Sequence, residues 1–168
     1  MVIRLLTPDD AIPFSKLRRE RLEREPRAFA ESIAEHDATP LRVIAARLAR
    51  SADDFVVGAF TPRAELAGMA GFARNPRLKS HHKGTIWGVY VRPRWRRSGV
   101  GRAILSELIQ HARSQPGLEQ IHLSVSAGQL SAKRLYLSLG FEVFGHERHA
   151  LKVEGDYVDE DHMVLWLK

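Results

Sequence analysis

The sequence contains no cysteine among its 168 residues. A chain without cysteine forms no disulfide, no thiolate metal site and no cysteinyl acyl-enzyme intermediate. It also lacks an apolar run of the roughly 18 residues that a membrane-spanning helix needs. No apolar signal-peptide core is visible at the start, because Thr7-Pro8-Asp9-Asp10 follows the first six residues directly. We therefore expect a cytoplasmic protein with no membrane partner.

The composition is that of an ordinary globular chain, with 44% hydrophobic and 27% charged residues. No linker, repeat or low-complexity tract interrupts it, so we expect a single domain over residues 1–168. The formal net charge is +6. Arginine is concentrated locally, at positions 92, 94, 96, 97 and 102. Such a concentration favours an anionic ligand, and both nucleic acid and a phosphorylated cofactor fit it.

The apolar pattern predicts strands and helices in alternation. Strands are predicted at residues 2–6, 55–60, 66–72, 85–91, 121–125, 141–144 and 163–167, the last two joined by a hairpin near 154–156. Helices are predicted to begin at Thr7-Pro8 and Thr39-Pro40 and to cover 99–113 and 130–139. In the first helix we expect Ile12, Leu17 and Leu22 to face the core.

Two strand–helix–strand passages, 85–125 and 121–144, favour partly parallel pairing. The predicted fold class is therefore α/β (α+β), with a mixed, partly parallel central sheet of about seven strands and helices on both faces.

One glycine-rich segment joins the predicted strand 85–91 to the predicted helix 99–113. It reads Arg96-Arg97-Ser98-Gly99-Val100-Gly101-Arg102. A helix N-terminus has unpaired backbone N–H groups and a partial positive charge, and glycines let an anion approach them closely. The segment has neither the Gly-Lys-Ser/Thr ending of a P-loop nor the G-x-G-x-x-G spacing of a dinucleotide site. It predicts a phosphate or pyrophosphate site of another kind.

Two motifs resemble those of a known family. Val89-Tyr90-Val91-Arg92-Pro93, followed by Arg96-x-x-Gly99-x-Gly101, resembles the acetyl-CoA motif of the GNAT superfamily of N-acetyltransferases. The segment from Gln129 to Phe141, with Ala132, Leu135-Tyr136 and Gly140-Phe141 at their spacings, is similar to that family's closing pattern. Both motifs stand in the family's order and together cover about residues 85–145.

The resemblance implies a binding mode for acetyl-CoA. Strands 85–91 and 121–125 would splay apart around the pantetheine arm, and the 96–102 loop would hold the pyrophosphate. A backbone N–H near Val89 would polarise the acetyl carbonyl. The implied cofactor-binding residues are Val89, Tyr90, Val91, Arg96, Arg97, Ser98, Gly99, Val100, Gly101, Arg102 and Gln129.

The resemblance also implies that Tyr136 is the general acid that protonates the departing thiolate. An ordinary tyrosine pKa is about 10 and a thiol pKa about 8.5, so this proton transfer is close to balanced. Strand 85–91 carries no acid, although many relatives have a glutamate there, and the general base is not identified. A water could relay the proton to any of Glu31, His81, His82, His149, Asp159 and Glu160.

The sequence indicates the acceptor site less clearly than the cofactor site. We expect Phe29 and Trp87 to contact the substrate, with Trp87 on the same strand face as Val89. His146-x-x-His149 and His81-His82 lack a third ligand at a recognisable spacing, so we expect no metal.

Three functions fit these observations. The favoured one is an N-acetyltransferase that moves an acetyl group from acetyl-CoA to a primary amine by direct transfer in a ternary complex. Its partner would be a small-molecule amine or a peptide N-terminus. The alternatives are a catalytically silent acyl-CoA-binding or sensing domain and a basic nucleic-acid-binding module. Because the arginines cluster in one loop and no groove-reading motif is present, we expect no nucleic acid. A homodimer is expected only from base rates.

Overall fold

The structure is a computed structural model that describes residues 1–49 and 51–167. Seven strands form one sheet in the order β1-β2-β3-β4-β5-β7-β6. Their bounds are β1 Val2–Leu5, β2 Asp54–Phe60, β3 Leu66–Arg74, β4 Lys83–Val91, β5 Gln120–Ser126, β6 Glu142–Val153 and β7 Asp156–Trp166. β4 and β5 pair in parallel, and the other neighbouring strands pair antiparallel. The predicted mixed, partly parallel sheet is confirmed.

Five α-helices accompany the sheet in the described part of the chain. Their bounds are α1 Ala11–Arg24, α2 Ile33–Ala38, α3 Leu41–Arg47, α4 Val100–Arg113 and α5 Leu130–Ser138. The predicted start at Thr7-Pro8 is a short 3₁₀ turn, Pro8–Asp10, that leads into α1. The Asp10 carboxylate accepts a hydrogen bond of 2.8 Å from the Thr7 N–H, which fixes the direction in which the chain enters the helix.

Helices cover both faces of the sheet, as predicted. Alternate residues of a strand point to opposite faces, and β2 shows this directly. Phe55 and Val57 pack in the cluster that contains the apolar face of α4, whereas Val56 packs in the cluster built with α1 and α3. The sheet therefore separates an α4 side from an α1 side.

The prediction for the buried face of α1 is right at two positions and wrong at one. Leu17 and Leu22 are buried, but Ile12 is 55% exposed. Ile12 precedes the buried Phe14 by two residues, which puts the two side chains about 200° apart around a helix of 3.6 residues per turn. The buried stripe instead includes Arg18, which the apolar pattern did not predict.

β6 and β7 are much longer than predicted, with 12 and 11 residues in place of the segments 141–144 and 163–167. Their outer halves are rich in charged and polar residues, so they carry little apolar alternation. The hairpin lies where it was predicted. Glu154 and Gly155 both have positive φ, +51° and +91°, at its tip.

Candidate functional site

A β-bulge interrupts β4 in its second half. β4 has two residues between Trp87 and Tyr90, whereas β3 has one residue between their partners Gly71 and Met69. Gly88 lies inside the bulge with φ +64°, in the left-handed region that glycine adopts without a steric penalty. A bulge bends the strand and redirects the side chains that follow it.

The bulge overturns the expectation that Trp87 and Val89 share a strand face. Trp87 packs against the cluster on the α1 side, and Val89 packs against the cluster on the α4 side. The extra residue, Gly88, shifts the alternation by one position. A lone glycine inside a predicted strand is a recognised sign of a bulge, so the sequence did contain this signal.

β4 and β5 separate beside the bulge, as the resemblance implied. Their parallel pairing covers only Lys83–Gln120, Gly84–Ile121 and Thr85–His122. From residue 86 of β4 and 123 of β5 onward, the two strands are not paired with each other. Backbone groups that face such a gap lack strand partners there and can bond a ligand lying between the strands.

The glycine-rich loop forms a cradle of backbone donors next to this gap. The N–H groups of residues 97–102 donate no hydrogen bond to any described residue. Arg97 has φ +60°, and Gly99 has φ +82° and precedes the first turn of α4. A Cβ on Gly99 would meet nothing within 4 Å, whereas a Cβ on Gly101 would lie 3.3 Å from Leu135 of α5. Gly99 thus borders open space, and Gly101 allows α4 and α5 to pack closely.

The arginine-rich segment carries less free charge than its composition indicates. Three of its five arginines form salt bridges with carboxylates: Arg92 with Glu20 and Glu65, Arg94 with Glu65, and Arg96 with Glu25. Arg97 and Arg102 form no salt bridge to a described residue, although Arg102 Nη2 donates to Ser138 Oγ at 2.7 Å. The uncompensated charge therefore lies at the two ends of the 97–102 donor cradle.

Tyr136 lies on α5 and is 5% exposed. Its ring packs edge-on against Phe141 with a centroid distance of 6.0 Å. Its hydroxyl makes no hydrogen bond within the described residues, although a buried tyrosine hydroxyl usually has a partner. Burial raises the pKa of Tyr136 above its ordinary value of 10, so the hydroxyl remains protonated at neutral pH.

Gln129 lies at the N-terminus of α5 and borders a cavity of about 340 Å³. The lining of this cavity consists of Arg27, Ser126, Ala127, Gly128, Gln129, Tyr157, Val158 and Asp159. The cavity therefore lies between the C-terminal end of β5, strand β7 and the segment that follows α1.

Phe29 and Trp87 both contact arginines of α1. The Arg21 guanidinium carbon lies 4.3 Å from the centre of the Phe29 ring, and that of Arg18 lies 5.7 Å from the Trp87 ring. Both guanidiniums form salt bridges with Glu31. Sequence reasoning missed Arg18 and Arg21, because α1 carries so many charged residues that the buried ones do not stand out.

Glu31 is unsuited to be the general base. Burial alone would raise the pKa of Glu31, but the hydrogen bonds and charges of Arg18 and Arg21 outweigh it and lower that pKa. A carboxylate held in its ionised form by two cations is a weak proton acceptor.

Of three other candidates for the base, two form hydrogen bonds and the third lies at the far end of β4. His81 Nδ1 lies 2.9 Å from the carbonyl oxygen of Asn75, in the connection between β3 and β4. His82 directly precedes β4, at the opposite end of that strand from the bulge. Asp159 accepts a 2.9 Å hydrogen bond from the His149 N–H. This bond makes the largest contribution to lowering the pKa of Asp159.

Glu160 has a different environment. It lies opposite Ser126 in the β5–β7 register, and the Ser126 hydroxyl donates to the Arg27 carbonyl at 2.7 Å. Paired residues point to the same face, so Glu160 faces the segment that follows α1. Burial raises the pKa of Glu160, and its carboxylate has no hydrogen-bond partner among the residues described.

Neither a metal centre nor a membrane span is found within residues 1–49 and 51–167. No three or more His, Cys, Asp or Glu side chains there are grouped so as to hold a metal ion. No helix in the same ranges is long and apolar enough to cross a bilayer.

Comparison with known proteins decides the family. The family model described as the acetyltransferase (GNAT) family matches residues 15–141. The chain belongs to the GNAT family. This GNAT chain is similar to the L-amino acid N-acetyltransferase AaaT of Escherichia coli, with 32% identity over 78 residues, or 46% of this chain and 48% of AaaT. It is 29% identical to an N-alpha-acetyltransferase of Sulfurisphaera tokodaii over 121 residues, or 72% of this chain and 66% of that protein. The matches thus span about half to two thirds of these curated relatives.

A solved structure confirms the GNAT fold. The putative acetyltransferase yncA from Salmonella typhimurium, solved with its cofactor acetyl-CoA, superposes with a TM-score of 0.84 at 23% identity. The match covers all of this GNAT chain and 94% of that structure.

Proposed function

We propose that this GNAT protein is an N-acetyltransferase that moves the acetyl group of acetyl-CoA to a primary amine. One observation carries the proposal: the backbone N–H groups of residues 97–102 have no acceptor in the described structure and stand at the N-terminus of the 14-residue helix α4. An anion at this position gains several N–H hydrogen bonds and the positive end of the helix dipole. A pyrophosphate matches such a row of donors.

The other cofactor contacts follow from that position. Arg97 and Arg102 supply the charge that no salt bridge compensates, while Arg96 is tied to Glu25 and to the Val91 carbonyl and positions the loop. The pantetheine arm fits the gap between β4 and β5, where main-chain groups of residues 89–91 would bond it. Gln129 would approach it from the start of α5.

Tyr136 is proposed to hand its proton to the thiolate that leaves when the thioester of acetyl-CoA is attacked. Its hydroxyl has no partner within the described chain, as expected for a group that bonds a ligand. Burial raises the pKa of Tyr136, and the same low-polarity surroundings would raise the pKa of a thiol beside it. The difference between the two pKa values, which governs the transfer, therefore changes less than either value.

Glu160 is proposed to accept the amine proton, directly or through a water molecule. Among the candidates it combines a position beside the end of β5, a carboxylate without a described partner and a raised pKa. A base with a pKa closer to neutrality accepts a proton more effectively at physiological pH than an ordinary carboxylate does.

Thiol release from acetyl-CoA, followed with and without a panel of amines, tests the proposal. We expect acetyl-CoA to stabilise the protein thermally and free thiol to appear only when an amine is added. Stabilisation without thiol release from any amine would favour a silent acyl-CoA-binding domain. Tight duplex DNA binding that acetyl-CoA does not displace would favour the nucleic-acid alternative.

A further inference from the structure

Two buried guanidiniums lie side by side on the face of α1 that contacts β4. The side chains of Arg18 and Arg21 are 8% and 4% exposed. Both donate through Nη2 to one and the same oxygen, Oε2 of Glu31, and the Arg21 bond measures 2.9 Å. Two positive charges are thus balanced by one carboxylate, which leaves a net charge of +1 in a buried position.

Most of the hydrogen-bonding capacity of this pair is unused. A guanidinium has five N–H donors, yet each of these two makes only its Nη2 bond to a described residue. Nε of Arg18 and Nε of Arg21 are fully buried without a partner, so a ligand does not reach them. Nη1 of each guanidinium also has no hydrogen bond to a described residue but is not fully buried, and these two nitrogens are the donors open to a ligand. Buried polar groups without partners are costly, and native proteins keep few of them. Unused donors together with an excess positive charge are complementary to a bidentate anion such as a carboxylate.

The pair lies next to the proposed point of acetyl transfer. Arg21 Nη1 is 2.9 Å from where a Cβ on Gly88 would stand, so the guanidinium touches the β4 bulge itself. Val89, near which a backbone N–H is expected to polarise the acetyl carbonyl, is the next residue of β4. The rings of Phe29 and Trp87 flank the guanidiniums on the α1 side. An anion bound here would therefore lie beside the proposed point of acetyl transfer.

We propose that Arg18 and Arg21 bind the carboxylate of the acceptor, and that the acceptor is a free α-amino acid. This inference rests on the proposed acetyltransferase function and narrows its substrate class. In an α-amino acid the amine and the carboxylate share one carbon, so a carboxylate at the arginines places the amine at the β4–β5 gap. A peptide N-terminus has an uncharged amide at that position and would leave the excess charge uncompensated.

The test compares free L-methionine, L-leucine and L-phenylalanine with their primary amides at saturating acetyl-CoA, with thiol release as the readout. We expect kcat/KM to be at least tenfold higher for each free acid than for its amide. The amine of an amino amide is less basic, so more of it is unprotonated at neutral pH, and this bias opposes the expected result. Equal rates, or a preference for the amides, would overturn the inference.

Two variants sharpen the test. Arg18→Gln should remove most of the preference by lowering kcat/KM much more for the acids than for the amides. Arg19→Gln is the matched control, because Arg19 is the exposed neighbour on α1 and pairs with Asp37; it should keep the full preference. Should Arg18→Gln fail to fold, the wild-type comparison of acids with amides decides alone.

The outcomes separate this inference from the proposed function. If amides or a short peptide are acetylated as well as the acids are, the amino-acid assignment fails and the acetyltransferase stands. If neither series is acetylated but another amine of the panel is, the amino-acid assignment alone fails. If acetyl-CoA stabilises the protein but no amine is acetylated, the proposed transfer fails as well.

Discussion

Gly99 and Gly155 form a matched pair for testing the cofactor loop. Both have left-handed backbone, with φ of +82° and +91°, and a Cβ on either would meet nothing within 4 Å. Gly99 stands at the start of α4, inside the proposed pyrophosphate cradle, whereas Gly155 lies at the tip of the β6–β7 hairpin. Substitution by alanine therefore costs similar backbone strain at both positions but adds a methyl group at the cradle in only one.

The loss of folding stability that the two substitutions have in common can be estimated. Left-handed backbone costs an L-residue about 1–2 kcal/mol, and the loss of glycine's freedom in the unfolded chain returns about 0.4–1 kcal/mol. We expect Gly99→Ala and Gly155→Ala each to lower the free energy of unfolding by about 1 kcal/mol. In a chain of this length that lowers Tm by about 2–4 °C.

The two variants should differ in their response to acetyl-CoA. At 100 times its Kd, a ligand stabilises the folded state by about 2.7 kcal/mol. If the methyl group at position 99 weakens binding tenfold, the same concentration stabilises Gly99→Ala by only about 1.4 kcal/mol. Gly155→Ala should keep the full stabilisation.

Thermal unfolding with and without acetyl-CoA, supported by calorimetric titration, measures both the loss of stability and the stabilisation by acetyl-CoA. A Gly99→Ala protein that binds acetyl-CoA as tightly as the wild type would refute the placement of the pyrophosphate. An equal loss of affinity in Gly155→Ala would show that the effect is general destabilisation and not local to the cradle.

Three further predictions concern Tyr136, Glu160 and the β4 bulge. Tyr136→Phe should lower kcat by about 10²–10⁴ with little change in KM for acetyl-CoA, because the proton is needed only as the C–S bond breaks; unchanged single-turnover rates would assign the acid elsewhere. Because burial raises the pKa of Tyr136, the hydroxyl of the wild-type protein should stay protonated up to at least pH 10. Ionisation of Tyr136 should therefore not lower kcat below that pH. For Glu160, burial raises the pKa above its ordinary 4.5, so kcat/KM should fall as the pH drops through a value above 4.5. Glu160→Gln should lose this acidic limb of the pH profile. An identical acidic limb in the variant would exclude Glu160 as the base. Gly71→Ala would place a Cβ 2.2 Å from the Trp87 ring and should destabilise the fold by about 1–3 kcal/mol in denaturant titration, whereas Gly128→Ala, with nothing within 4 Å, should be nearly neutral; equal stabilities would contradict the close packing at the bulge.

The local structure of the proposed cofactor site could be predicted from the sequence because its elements are contiguous. Strand, loop and helix follow one another from 85 to 113, so residue types and spacing define the donor cradle without long-range information. The predicted strand and helix end at the same residues as the observed β4 and α4, and their starts differ by only two residues and one residue.

The proposed acceptor side could not be predicted in the same way, because its residues come from distant parts of the chain. Arg18 and Arg21 stand among five other charged residues between positions 16 and 24, and which of them are buried depends on the packing of α1 against β4. Trp87 and Val89 lie on opposite faces because of the register between β4 and β3, which the sequence does not show. The sequence signal was Gly88, which indicated only that the strand is irregular. The outer halves of β6 and β7 hold together through pairing with each other rather than through an apolar face.

The central claim, direct acetyl transfer to an amine, is tested most directly by intact-protein mass spectrometry combined with thiol detection. The protein is mixed with acetyl-CoA alone, and an amino acid acceptor is added afterwards. We predict that the protein mass stays unchanged throughout, that no thiol appears before the acceptor is added, and that acetylated acceptor and free thiol then form in equal amounts. An acetylated protein that forms without acceptor and passes its acetyl group to the amine would contradict the claim.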